Sequence, residues 1–230
     1  LIHKALRAGV SKEDKFATRY LEHLQRCKIE IDPQRIDPAA DRLLEGCVIH
    51  WTKACNEAWP GETMYDYYRD IFGSTSRYPR SGLDTLIMML SEGRMRASSK
   101  HYRKGLSAVA FSSLKPSEAV RLMKWRARYR EMTFEPYGVA IRKSYGEITG
   151  IRKVFYGNPD MYRYLDEDDR PYFQSVGLKG YWMPEREYRH VGDINLNLIP
   201  EESIVVIVWK KDEIAEVQRL FGGRIISLYA

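Results

Sequence analysis

Ser203-Ile-Val-Val-Ile-Val-Trp209 decides the fold class, together with the segments C-terminal to it: Asp212-Glu-Ile-Ala-Glu-Val-Gln-Arg-Leu-Phe221, then Gly222-Gly223, then Arg224-Ile-Ile-Ser-Leu-Tyr229. No polar residue interrupts Ile204 to Val208, so this β-branched run reads as a buried strand. Asp212 offers a side-chain oxygen to the free N–H groups of a first helical turn. The glycine pair ends that helix after Phe221, and Arg224 to Tyr229 reads as a last strand. A β-α-β ending on a chain of otherwise short strands predicts an α+β fold: a curled or split, mostly antiparallel sheet with flanking helices.

Working back from this tail, Cys47-Val-Ile-His-Trp-Thr52 reads as a short buried strand whose polar members, His50 and Thr52, share a face. Ser107 to Phe111, Pro136 to Arg142 and Val154 to Tyr156 read as further strands. Tyr181 to Val191 is strand-like by its alternation beyond Pro184, and Asp166 to Asp169 is an acidic loop. Met64, Tyr67, Tyr68 and Ile71 recur at helical spacing within Thr63 to Phe72, ahead of a turn-rich stretch from Gly73 to Gly82. Leu83 to Glu92 reads as a helix ended by Gly93, and Pro116 as the opening of a helix that runs to about Arg130. At the other end, Ser11 and Asp14 look like the N-terminal cap of an amphipathic helix carrying Phe16, Tyr20, Leu21 and Leu24. Two Asp-Pro steps between Ile31 and Pro38 then force extended backbone. The expected organisation is a helical appendage and linker over 1–45 and an α+β domain over 46–230.

Composition sets the limits. With 44% hydrophobic and 30% charged residues the chain is of the soluble globular type. No stretch approaches the ~20 apolar residues of a bilayer span, so no membrane role is expected. Three cysteines, Cys27, Cys47 and Cys55, fit neither a disulfide framework nor a CxxC metal pair. With no secretory signal at the start of the sequence, the expectation is a reducing, cytoplasmic setting and no metal. A formal net charge of +6 favours a polyanionic partner. Much of that excess lies between Arg121 and Arg130, where Arg121, Lys124 and Arg128 are the candidate nucleic-acid contacts and a solvated helix face is the alternative.

The sharpest chemical feature is Glu185-x-Glu187-x-Arg189. A side-chain period of two places all three on one strand face, with the carboxylates ~7 Å apart and Arg189 available to screen them. This reads as a catalytic carboxylate with an accessory acid, or else as an alternating charged strand edge. His50 and Thr52 together suit a ribose and an amide, although a strand histidine is also an ordinary core residue. Ser112 and Ser113 end a strand and offer hydroxyls, which is equally how turns begin. No phosphate-cradling glycine loop is present, since Gly222-Gly223 comes after a helix instead of opening one. GxSxG and HExxH are absent, and His3, His23, His101 and His190 lack ligand spacing.

In order along the chain, the His50-x-Thr52 strand, the helix ending Gly93-Arg-Met-Arg-Ala-Ser-Ser99, the strand ending Phe111-Ser-Ser113 and the Glu185-x-Glu187 strand resemble the ADP-ribosyltransferase fold. Tyr137-Gly-Val-Ala-Ile-Arg142 and Glu185-Arg-Glu-Tyr-Arg189 also resemble strands of AbiGi-type abortive-infection phage-resistance proteins. The resemblance spans roughly residues 46 to 209. It implies NAD as substrate, with His50 and Thr52 at the adenosine-side ribose or the carboxamide, Ser112 lining the nicotinamide pocket, and Tyr137 among the residues that bind the cofactor. Glu187 would hold the nicotinamide-ribose hydroxyl, Glu185 would orient an acceptor, and Arg96 or Arg142 would hold the pyrophosphate. The activity implied is an NAD-consuming ADP-ribosyltransferase or NAD glycohydrolase of a bacterial or phage conflict system, with a nucleic-acid or protein acceptor and a cognate toxin or antitoxin partner. The alternative is a non-catalytic, antitoxin-like or partner- or nucleic-acid-binding module on the same fold.

Overall fold

Seven strands form the central sheet of the computed structural model, which describes residues 15–59, 61–73, 79–99, 102, 105–176 and 185–230. In chain order they are β1 (Cys47–Trp51), β2 (Ala108–Ser112), β3 (Gly138–Arg142), β4 (Arg152–Lys153), β5 (Glu187–Val191), β6 (Ile204–Val208) and β7 (Arg224–Ser227). They lie side by side as β7-β6-β3-β1-β2-β5-β4 in an open sheet. Every neighbouring pair is antiparallel except β6 and β7, which are parallel as a β-α-β ending requires. The helices are α1 (Lys15–Arg26), α2 (Pro38–Leu43), α3 (Met64–Gly73), α4 (Gly82–Glu92), α5 (Pro116–Ala119), α6 (Lys143–Ile148) and α7 (Ile214–Val217). Among the described residues no helix is long and apolar enough to cross a membrane.

The apolar run of β6 follows from burial on both faces. Val205 and Ile207 pack with Ile49, Trp51 and Ala140 and with Ala40 and Leu44 around α2. Ile204, Val206 and Val208 point the other way, onto Val48, Val139, Ile141 and the Leu83, Leu86 and Leu90 face of α4. Each fully buried aliphatic side chain of this kind is worth about 1.5–3 kcal/mol, so burial on both faces makes β6 a large contributor to stability. The start of α4 is fixed by a capping box: Ser81 Oγ accepts the Asp84 N–H at 3.1 Å while Asp84 accepts the Ser81 N–H at 3.0 Å. Gly93, at φ 60°, closes its other end.

Four expectations are corrected. Residues 31–38 are not a linker: Asp32 and Asp37 each cap the turn immediately after them, accepting the N–H of Gln34 at 2.9 Å and of Ala39 at 2.8 Å. The prolines sit at the first helical position, where a missing N–H costs nothing, so each Asp-Pro step starts a helix. Ile36, Ala40 and Leu44 are buried in the same cluster as Trp51 and Ile207. Pro116 opens only α5, which passes through a 3-10 turn at Val120–Leu122 into a hairpin of Trp125–Arg126 with Glu131–Met132. From Met123 onward apolar and basic residues alternate, a strand period that a helix cannot bury on one side. Near the C-terminus Glu213, not Asp212, closes the cap by accepting the Lys210 N–H at 2.8 Å, and α7 is one turn long. Val154 separates β4 from Phe155–Gly157, which pairs instead with Phe173–Ser175. Ser11, Asp14, residues 74–78 of the expected turn, and Tyr181 to Pro184 lie outside the described residues.

Candidate active site

The sheet splits between β1 and β2. β1 keeps five paired positions with β3, and β2 keeps five with β5, yet β1 and β2 are in register only where Ile49 faces Ser112. Beyond that point the imidazole of His50 takes the carbonyl a ladder would have used, with Nδ1 at 2.8 Å from the Ala110 oxygen. A carbonyl only accepts, so Nδ1 carries the hydrogen and Nε2 keeps a lone pair. Burial lowers the pKa of His50 and so favours the neutral ring, while the hydrogen bond to the Ala110 carbonyl opposes this with a smaller effect. β3 must lie very close behind it: a Cβ on Gly138 would come within 2.5 Å of the His50 carbonyl oxygen. Gly138→Ala is therefore expected to cost about 1–3 kcal/mol in urea unfolding, because two main chains have to move apart.

The split opens into a cavity of about 450 Å³ whose lining includes His50, Thr52, Arg96, Ser112, Glu185 and Glu187. These six expected site residues are thus brought to one place. Their hydrogen bonds separate them by role. Thr52 is 2% exposed and its hydroxyl donates to the Gly82 carbonyl at 2.8 Å, fastening the end of β1 to α4. Ser112 donates to the Glu185 carbonyl at 2.6 Å and accepts the Leu114 N–H at 3.2 Å, holding the approach to β5 against β2. Arg96 is engaged by Glu92 through Nε at 2.8 Å and Nη2 at 3.2 Å.

Glu187 stands opposite Ser112 on the β5–β2 ladder, and Arg189 reaches back to it with Nε at 2.6 Å and Nη2 at 3.0 Å. The two side chains are 11% and 3% exposed. Arg189 also donates to the carbonyls of Pro171 at 2.9 Å and Phe173 at 3.3 Å and to Gln174 Oε1 at 2.7 Å, so it finds an acceptor for every guanidinium N–H. The pairing of Glu187 with Arg189 agrees with the expected alternation. Glu185 does not. β5 begins at Glu187 and Arg186 adopts φ 46°, a left-handed turn that takes Glu185 off the strand. It reaches the same cavity from a turn. Burial, and then the charge of Glu187, push its carboxyl up to about 7 against the opposing charges of Arg126 and Lys53.

Other expected residues lie elsewhere. Tyr137 is 6% exposed in the core, its hydroxyl donating to Glu213 at 2.8 Å, and burial raises its pKa further than the Glu213 charge does. Arg142 is exposed at the end of β3, outside the cavity lining, and so are Arg121, Lys124 and Arg128. The cations that do line the cavity beside Arg96 and Arg189 are Lys53, paired with Glu131 at 3.0 Å, and Arg126. The alternation from Met123 to Arg130 held the signal for Arg126, since it puts Arg126 and Glu131 opposite each other on one hairpin face. Glu135 left no such signal. It is 1% exposed and accepts the N–H of Ala54 at 2.7 Å and of Gly82 at 2.9 Å, tying the segment after β1 to the start of α4. Burial pushes its carboxyl up to about 7, opposed by those two donors.

Among the described residues no group of three or more His, Cys, Asp or Glu is placed to hold a metal ion. Compared with protein-family models, with curated proteins and with solved structures, the chain matches none of them.

Proposed function

We propose that the cleft takes NAD and that the protein is an NAD-consuming ADP-ribosyltransferase or NAD glycohydrolase. One observation supports this above the others: His50 from β1 and Glu187 from β5 line a single cavity across the intervening strand that supplies Ser112. Its volume falls within the few hundred Å³ typical of small-molecule sites. In the reaction the bond between the ribose C1′ and the pyridinium nitrogen breaks and its electron pair leaves with nicotinamide. The positive charge that develops on the ribose is stabilised by the Glu187 carboxylate, which Arg189 holds in place. Nε2 of neutral His50 accepts a ribose hydroxyl, and Lys53 and Arg126 supply positive charge for the pyrophosphate in the role expected of Arg96 or Arg142. Glu185 takes the proton of the incoming water or acceptor nucleophile. A bacterial or phage conflict setting rests on the resemblance of the Tyr137–Arg142 and Glu185–Arg189 stretches to abortive-infection proteins.

The direct test is to incubate the protein with NAD and measure free nicotinamide. Release above a protein-free control is the expected result, and identical release would overturn the enzyme reading. The pH dependence carries more detail. The base form of Glu185 is the ionised one, so the rate should rise as pH increases through about 7. Glu185→Gln should remove that limb; a limb that survives in the variant belongs to another group.

A second reading has its own support. Both Glu187 oxygens are occupied by Arg189, and the hydroxyl hydrogens of Thr52 and Ser112 are committed to main-chain carbonyls. A cleft so internally satisfied also suits an antitoxin-like or partner-binding module, for which NAD binding without nicotinamide release is the signature.

A further inference from the structure

We propose that the exposed turn 127–130, with the basic residues leading into it, binds single-stranded nucleic acid and presents it to the cleft as acceptor. The acceptor role rests on the proposed NAD chemistry; the binding itself does not. In the hairpin Trp125 stands opposite Met132 and Arg126 opposite Glu131. Met132 is buried in the sheet core and Trp125 packs against it, while Arg126 and Glu131 line the cavity. One face of the hairpin is therefore core and the other is cleft wall, which leaves the turn at the rim. Lys124, Arg128 and Arg130 are exposed there, and Tyr129 is 46% exposed. The guanidinium carbons of Arg126 and Arg128 lie 4.3 and 5.6 Å from the centroid of the Tyr129 ring. In the sequence no Asp or Glu falls between Arg121 and Arg130, and the acid that follows, Glu131, is buried and pairs with Lys53.

An exposed ring with the Arg128 guanidinium beside it suits a base stacked on the ring and a phosphate on Arg128. A duplex keeps its bases inside the helix, where the ring cannot reach them, and the cavity beside Arg126 admits only an unpaired nucleotide. The charge and the aromatic ring together thus favour a single strand over a duplex or an anionic membrane, for which Tyr129 would add nothing.

The test is fluorescence anisotropy with a labelled oligodeoxythymidine of about 12 nucleotides, without NAD, across a salt series. The expected logarithmic salt slope is about −0.7 per phosphate contact, reduced by about that amount in Arg128→Glu. Tyr129→Ala should lose roughly 5- to 100-fold in affinity with little change in that slope. Both side chains are exposed, so thermal unfolding should stay near the wild-type curve. Unchanged affinity in both variants, equal affinity for duplex, equal affinity for anionic vesicles, or the absence of a salt slope would overturn the proposal. A failure here leaves nicotinamide release untouched. Conversely, oligonucleotide binding without nicotinamide release removes only the enzymatic reading.

Discussion

Arg189→Met is expected to destabilise the protein by about 3–5 kcal/mol, read as a fall in the urea midpoint at unchanged m-value. The guanidinium is 3% exposed and serves Glu187, Gln174 and the carbonyls of Pro171 and Phe173 at once. Removing it leaves a carboxylate without its partner beneath the surface and unties the 171–174 segment from β5. Methionine matches the length of the lost stem, so the loss reports on charge and hydrogen bonds more than on volume. Converting Glu187 to Met as well should recover part of the loss, because two buried charges removed together cost less than one stranded alone. Arg189→Lys should fall between, since an ammonium cannot make the two-point contact with Glu187. A loss below about 1 kcal/mol for Arg189→Met, the value of an exposed pair, would mean that water reaches this ion pair freely.

Glu187→Gln is expected to lower nicotinamide release by about 10²–10³-fold, the usual cost of removing one group that stabilises developing charge. The fall should appear in kcat, with KM for NAD little changed, because positive charge moves onto the ribose, where this carboxylate stabilises it, only as the glycosidic bond opens. The amide keeps the shape and one acceptor for Arg189, so the variant should stay folded, and its unfolding curve must be measured alongside. A variant that folds and retains the wild-type rate would reduce Glu187 to an anchor for Arg189.

The parts of the fold legible in the sequence are those whose pattern is set locally. β6 is buried on both sides and so is wholly apolar, and α4 announces itself through its run from Leu83 to Glu92 and the Gly93 that ends it. His50 and Glu187 are likewise marked, because strand alternation decides which way they face, whereas Ser112 is marked only by its place at a strand end. What the sequence concealed depends on long-range pairing. The split between β1 and β2 exists because partners dozens of residues apart meet at one position and then part, and nothing near Ile49 records it. Glu135 joins two segments remote from it in sequence. Other misreadings are local competitions between signals: Pro116 suggests a long helix over a stretch whose period is two, and Asp-Pro reads as extended backbone where the aspartate is a cap. At Arg186 one left-handed residue overrides the alternation that put Glu185 on the strand.

A crystal structure of the protein soaked with NAD, or with a non-hydrolysable analogue, bears most directly on the account. The dinucleotide should occupy the split between β1 and β2, with a nicotinamide-ribose hydroxyl in hydrogen-bond reach of the Glu187 carboxylate and another ribose hydroxyl on Nε2 of His50. A cleft that stays empty at saturating ligand, or a dinucleotide seated away from both side chains, would contradict it.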